Sequence, residues 1–143
     1  MSEIEQAVLE RKLAAILRYL ELLAAKGNLG LEAYLKEFEQ QLITERLLHL
    51  LVEAATDINS YILVRLGEPA PGNYFESFIA MGNRGVLTPE LAQKLAPATG
   101  LRNRLVHEYD GINPSLVYGS IPLALELFPL FVEQIQAFLQ EQS

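Results

Sequence analysis

An all-α fold, an antiparallel bundle of four or five helices, is what this sequence predicts. Three observations carry that expectation. Apolar residues recur at spacings of three, four and seven over long stretches, which marks helices with one buried face. No segment sustains the period-two alternation of a half-buried strand. The breaks between periodic segments are short clusters of Gly, Pro, Asn and Asp, so consecutive helices are expected to turn back on one another.

The first helix is expected to open at Ser2, with Glu5 three residues on completing a capping box, and to run to about Ala25. Val8, Leu9, Leu13, Ile16, Leu17, Leu20 and Leu23 form its apolar stripe, and Gly27, Asn28 and Gly30 end it. Leu31 to Phe38 reads as a short helical piece or turn. A long helix follows from about Glu39 to Leu66, and Gly67, Pro69, Pro71 and Gly72 break it. Its face of Leu47, Leu48, Leu51, Ala54, Ala55, Ile58 and Ile62 is wide for a small bundle, and fits either a core helix or a dimer interface. Asn73 with Glu76 caps a short helix through Phe75, Phe78 and Ile79 that closes at Gly82 and Gly85. Thr88-Pro89-Glu90 starts the next, which Pro97 kinks or divides and Asp110-Gly111 ends. Asn113-Pro114 starts the last, running to about Gln140 with kinks expected at Pro122 and Pro129.

The chain has 143 residues, half of them apolar and a fifth charged, which suits one folded domain over residues 1–143. There is no internal repeat and no linker. No apolar stretch approaches the roughly 20 uninterrupted residues of a membrane span. The acidic start, Met1-Ser2-Glu3-Ile4-Glu5, lacks the basic region of a secretory signal, so a cytoplasmic location without membrane attachment is expected. With no cysteine, disulfides, thiolate nucleophiles and Cys-based metal sites are excluded. No DxD or HExxH pattern points to a metal, and no cofactor is expected. The net charge of −7 argues against binding long nucleic acid through the overall field, but leaves room for a local basic groove or a basic protein partner.

The stretch from Leu101 to Asp110 carries the chemistry. On a helix, Asn103 and His107 share one face, and Arg102 and Tyr109 share another, while Leu101, Leu105 and Val106 supply the apolar side. Histidine exchanges protons near neutral pH. Arginine can hold a phosphate through two parallel hydrogen bonds. Cleavage of RNA by its own 2′-hydroxyl needs a base for the 2′ proton, an acid for the leaving 5′ oxygen and a cation for the charge on phosphorus. General acid–base catalysis contributes about 10²–10⁴ in rate. One such histidine per chain cannot easily be both acid and base, so two copies facing one another in a homodimer are expected.

Arg102, four residues, His107, one residue and Tyr109 resembles the R-x4-H-x-Y signature of HepT-like toxins, within the HEPN superfamily of ribonucleases. Asn103 fills the polar position after the arginine. Gly100-Leu101 before the motif, the Asp-Gly-Ile-Asn-Pro turn after it, and the Glu45-Arg46-Leu47-Leu48 and Glu53-Ala54-Ala55-Thr56-Asp57 stretches of the long helix are similar to the family too. The resemblance implies a HEPN-like bundle and a metal-independent endoribonuclease toxin that leaves a 2′,3′-cyclic phosphate and acts as a homodimer on transfer or messenger RNA. It further implies a nucleotidyltransferase antitoxin that places AMP on Tyr109. Arg102 and His107, with Asn103, are the expected catalytic groups.

Plainer readings stand beside these. His107 could cap helix-end carbonyls. Arg102 could be an ion-pair partner of Asp57 or Glu53. Asp57 could orient Arg102 or His107. Arg104 is a contact for RNA backbone or a solvated charge. His49 reads as a packing residue, and Glu37, Glu39, Glu45 and Glu53 as a solvated helix face. The rival function is a non-catalytic helical docking module for a nucleotidyltransferase partner.

Overall fold

The structure, a computed structural model, describes residues 4–107 and 112–142. Among them, eight helices follow one another: α1 (Gln6–Gly27), α2 (Leu31–Lys36), α3 (Phe38–Arg65), α4 (Tyr74–Asn83), α5 (Pro89–Leu95), α6 (Ala98–His107), α7 (Pro114–Gly119) and α8 (Ile121–Gln142). The all-α bundle is borne out. It exceeds four or five segments because prolines and turns divide what the periodicity runs together. Pro97 separates α5 from α6, and the last helix breaks at Ser120 into α7 and α8. Pro122 lies in the first turn of α8, and Pro129 sits inside it without ending it.

α1, α3 and α8 form the frame. Glu5 N–H donates to the Tyr61 hydroxyl (3.0 Å), Lys12 lies 3.5 Å from Asp57, and Lys26 donates to Gln40 (2.6 Å), so α1 and α3 run antiparallel. Gln6 reaches the Leu139 carbonyl at one end of α8, while Gly27 lies against Ile121 at the other, so α1 and α8 are antiparallel as well. α1 begins at Gln6 with Glu5 in extended backbone and no side-chain cap. Ser2 lies outside the described residues.

The wide face of α3 is a core face. Leu47, Leu48, Leu51, Ala55, Ile58 and Ile62 are all buried within the chain, leaving Ala54 half-buried. Of the two readings of that face, the dimer-interface one is not supported here, since α1, α4, α6 and α7 pack around α3 in the monomer and supply its apolar neighbours. By length and composition alone α3 and α8 are apolar enough to span a bilayer, although Glu45, Arg46, Glu53 and Asp57 interrupt α3. In this fold their apolar residues meet in one core with those of α1.

The expected caps form where their chemistry predicts. Asn73 accepts from Glu76 N–H (2.8 Å), and Thr88 from Leu91 N–H (3.2 Å), with Pro89 in the first turn of α5. Gly85 (φ +76°) ends α4 in the left-handed region, where the Val86 N–H returns to the Met81 carbonyl (3.1 Å). Tyr118 of α7 fastens the α1–α2 turn: its hydroxyl donates to the Gly27 carbonyl (2.6 Å) and accepts from Gly30 N–H (2.9 Å), and its ring packs on buried Tyr34 at 4.9 Å.

α4 and α5 approach closely at Gly82, where an added Cβ would stand 2.7 Å from the Ala92 Cβ. Gly82→Ala is therefore expected to destabilise the fold. Overpacking costs about 1–3 kcal/mol, against roughly 1 kcal/mol that alanine gains over glycine in a helix. A thermal unfolding midpoint at or above wild type would contradict this packing.

Candidate active site

α6 is short, and its placement comes from its inner side. Thr99 is buried and returns its hydroxyl to the Ala96 carbonyl (2.8 Å), closing the turn after α5. Leu101 and Leu105 are half-buried against the core. These anchors set α6 against α3, with further contacts to α4 and α5.

Arg102 turns into that junction. Its side chain is 15% exposed. Nη2 donates to Glu53 Oε1 on α3. Nη1 donates to the Asn103 side-chain oxygen (3.2 Å), and the guanidinium carbon lies 4.7 Å from the centre of the Tyr74 ring on α4. Tyr74 donates its hydroxyl to both Glu53 oxygens, at 3.3 and 3.2 Å. His49 Nε2 lies 3.3 Å from Glu53 Oε1, and its Nδ1 lies 3.2 Å from Arg46 Nη1. An Nε2–H tautomer satisfies both contacts, donating to the carboxylate and accepting from the arginine. The result is a run of groups, Arg46, His49, Glu53, Arg102 and Tyr74, that ties together α3, α6 and α4.

Electrostatics follow the geometry. Burial pushes the Glu53 carboxyl up, but the Arg102 guanidinium, with hydrogen bonds from Tyr74 and His49, outweighs burial and holds it below the ordinary carboxylate range. Burial raises the Tyr74 phenol, and the negative charge of Glu53 raises it further.

The other expected site residues fall out differently. Asn103 and His107 are exposed on α6, and Arg104 is exposed as well. His107 is the last described residue of α6. Residues five apart on a helix leave it about 140° apart, so Arg102 and His107 point to different sides of α6 within one chain. Tyr109 lies outside the described residues. Three readings need correction. Asp57 does not orient the motif, since it faces Lys12 instead. Glu53 is not part of a solvated face, since its side chain is 26% exposed and receives Arg102, Tyr74 and His49. His49 is not mere packing, because both its ring nitrogens have polar partners. The sequence held one signal for this group. Arg46, His49 and Glu53 stand at i, i+3 and i+7, a polar stripe on an otherwise apolar helix.

A cavity of about 190 Å³ between α3, α6 and α8, walled by Leu48, Val52, Leu101, Leu127 and Phe128, reaches Arg102. Among the described residues, no three His, Cys, Asp or Glu side chains come together as a metal-ligand set.

An oriented guanidinium and an open imidazole on one helix of an all-α bundle fit the HEPN-type ribonuclease that the motif resembles. Comparison with known proteins agrees. A family model described as "Ribonuclease HepT-like" matches residues 10–135. The tRNA nuclease HepT of Aphanizomenon flos-aquae is 50% identical over 139 residues, 97% of this chain and 95% of that protein. The mRNA nuclease HepT of Shewanella oneidensis is 31% identical over 85 residues, 59% of this chain and 64% of that protein. The solved structure of a tri-AMPylated Shewanella oneidensis HEPN toxin in complex with an MNT antitoxin superposes with a TM-score of 0.83 at 26% identity, covering 91% of this chain and 97% of that one. Bacillus subtilis YutE, a cytosolic protein of unknown function, shares the fold alone, with a TM-score of 0.86 at 19% identity over 99% of this chain and 95% of that one. The chain belongs to the ribonuclease HepT-like family, and it is a toxin-type ribonuclease.

Because the Glu53 carboxyl is lowered in the folded protein, its contribution to stability is fully present above the ordinary carboxylate pKa of about 4.3 and is lost as pH falls through the lowered folded value. Glu53→Gln is expected to cost about 1.5–3 kcal/mol at neutral pH, the range for a charged hydrogen bond. The gap between the two proteins should narrow on acidification. Denaturant unfolding at neutral and acid pH checks this, and a gap that does not change with pH would remove the charged pair from the account.

Proposed function

We propose that the protein is an endoribonuclease toxin that cleaves RNA through its 2′-hydroxyl without a metal ion, and that Arg102 and His107 carry the reaction. The 2′ oxygen attacks phosphorus as a base takes its proton. The bond to the 5′ oxygen breaks as an acid protonates it. The products are a 2′,3′-cyclic phosphate and a 5′-hydroxyl. Arg102 holds the scissile phosphate and stabilises its added charge. His107 from each of two protomers supplies the base and the acid. Asn103 steadies the arginine or the phosphate, and Arg104 lends a contact to the RNA backbone.

The observation that carries this reading is the division of labour on α6, in which one residue has its guanidinium fixed and a neighbouring histidine stands open to solvent. The divergence of Arg102 and His107 within one chain favours a homodimer, in which imidazoles from two chains meet at one cleft. Transfer RNA is the favoured substrate class, because the relative that is 50% identical is a tRNA nuclease. The toxin–antitoxin structure supports a nucleotidyltransferase antitoxin as partner, with Tyr109 as the AMP acceptor. A nucleotide on Tyr109 would set phosphate charge where the RNA phosphate must sit and would block the cleft by charge and bulk. The rival reading, a docking module without activity, leaves the held guanidinium of Arg102 without a purpose.

His107→Ala is expected to reduce cleavage of transfer RNA by about 10²–10⁴ with the fold intact by circular dichroism. Retained cleavage sinks the mechanism. Intact mass after co-expression with a nucleotidyltransferase antitoxin should show added AMP units that are missing from Tyr109→Phe. AMP still present on that variant would place the acceptor elsewhere.

A further inference from the structure

The motif supplies Arg102, and Asn103 of the motif accepts one hydrogen bond from it, but the carboxylate that pairs with its charge comes from α3. We propose that Glu53 is a positioning residue for the reaction, and that with Tyr74 it fixes the Arg102 guanidinium so that its free N–H groups are aimed before RNA arrives. The proposal rests on the reading of Arg102 as the phosphate ligand.

The contacts leave the right donors over. A guanidinium carries five N–H groups. Glu53 takes one from Nη2, and Asn103 takes one from Nη1. Beyond these contacts of the described residues, Nη1 and Nη2 each carry a second N–H, and guanidinium N–H groups are the donors a phosphate takes. Nε is buried and has no hydrogen-bond partner among the described residues. The Tyr74 ring lies against the guanidinium and limits its tilt. The hydroxyl of Tyr74 and the ring of His49 in turn hold the carboxylate, so Glu53 is itself fixed from two directions.

Glu53 also balances charge. An arginine beside a carboxylate attracts anions less strongly than a lone one, so the pair gives up some ground-state RNA affinity. What it gains is orientation, which matters most when charge builds on the phosphorus centre. Removing the carboxylate charge should therefore lower kcat while leaving KM unchanged or reduced. A merely structural role would not produce that split.

The test is steady-state cleavage of a labelled transfer RNA transcript by the full-length chain and three variants. Glu53→Gln is expected to lose about 10- to 100-fold in kcat, in line with the roughly 10²-fold cost of misplacing a catalytic group by 1 Å, with KM the same or lower. Tyr74→Phe keeps the ring against Arg102 and removes only the hydroxyl, so a smaller fall in kcat at unchanged KM is expected. It decides the question should Glu53→Gln fail to fold. Folded variants that keep kcat within twofold, or that raise KM without lowering kcat, overturn the proposal. Arg102→Ala separates the two claims. If it is inactive while Glu53→Gln is fully active, only the positioning role falls. If it cleaves like wild type, the phosphate-binding reading falls and the positioning role falls with it.

Discussion

A guanidinium at the end of a long, flexible side chain is a poor instrument unless something holds it, and the Arg102–Glu53 pair is what holds it here. The pair joins α6 to α3, and Tyr74 brings α4 to the same point. Ion pairs of this kind add little net stability, because desolvating both charges offsets most of their attraction. What the pair supplies is geometry. The inner side of α6, with Thr99, Leu101 and Leu105, fixes the place of its ten described residues but not the direction of Arg102.

The rest of the bundle makes that junction possible. α3 passes the site as a well-packed element, with Leu51, Ala55 and Ile58 buried in the core and Glu53 paired with Arg102 of α6. The close contact of α4 and α5 at Gly82 sets where α4 can lie, and α4 carries Tyr74 at its first turn. Tyr118 fastens the opposite turn. Beside the junction that holds Arg102, Arg46 and Arg104 stand exposed on α3 and α6, so positive charge is present around the site of an otherwise acidic protein. The junction is therefore the structural counterpart of the motif.

Much of this was legible in the residues. Asn73 and Thr88 marked helix starts because a capping side chain leaves an unmistakable signature next to proline or glutamate. The motif was legible because its residues are neighbours in sequence and share a helix. Glu53 is one of the two carboxylates the sequence offers Arg102, and that pairing forms, but its exclusion from the solvated face is not legible there. It lies 49 residues away, and its polar neighbours on α3 look like an ordinary solvated stripe until another helix is laid over them. Asp57 lost the assignment to a difference of one helical turn. Asp57 lies about 6 Å further along the same side of α3, where Lys12 of α1 receives it.

By itself the sequence determined the all-α class, most helix starts and stops, and the local chemistry of residues 102–109, because periodicity, capping and motif spacing are encoded within one or two turns. Only the tertiary structure decided which carboxylate faces Arg102 and that the broad face of α3 is core. Those outcomes depend on how α1, α4 and α6 are packed around α3. Packing is set by the whole set of buried surfaces at once, and no local window contains it.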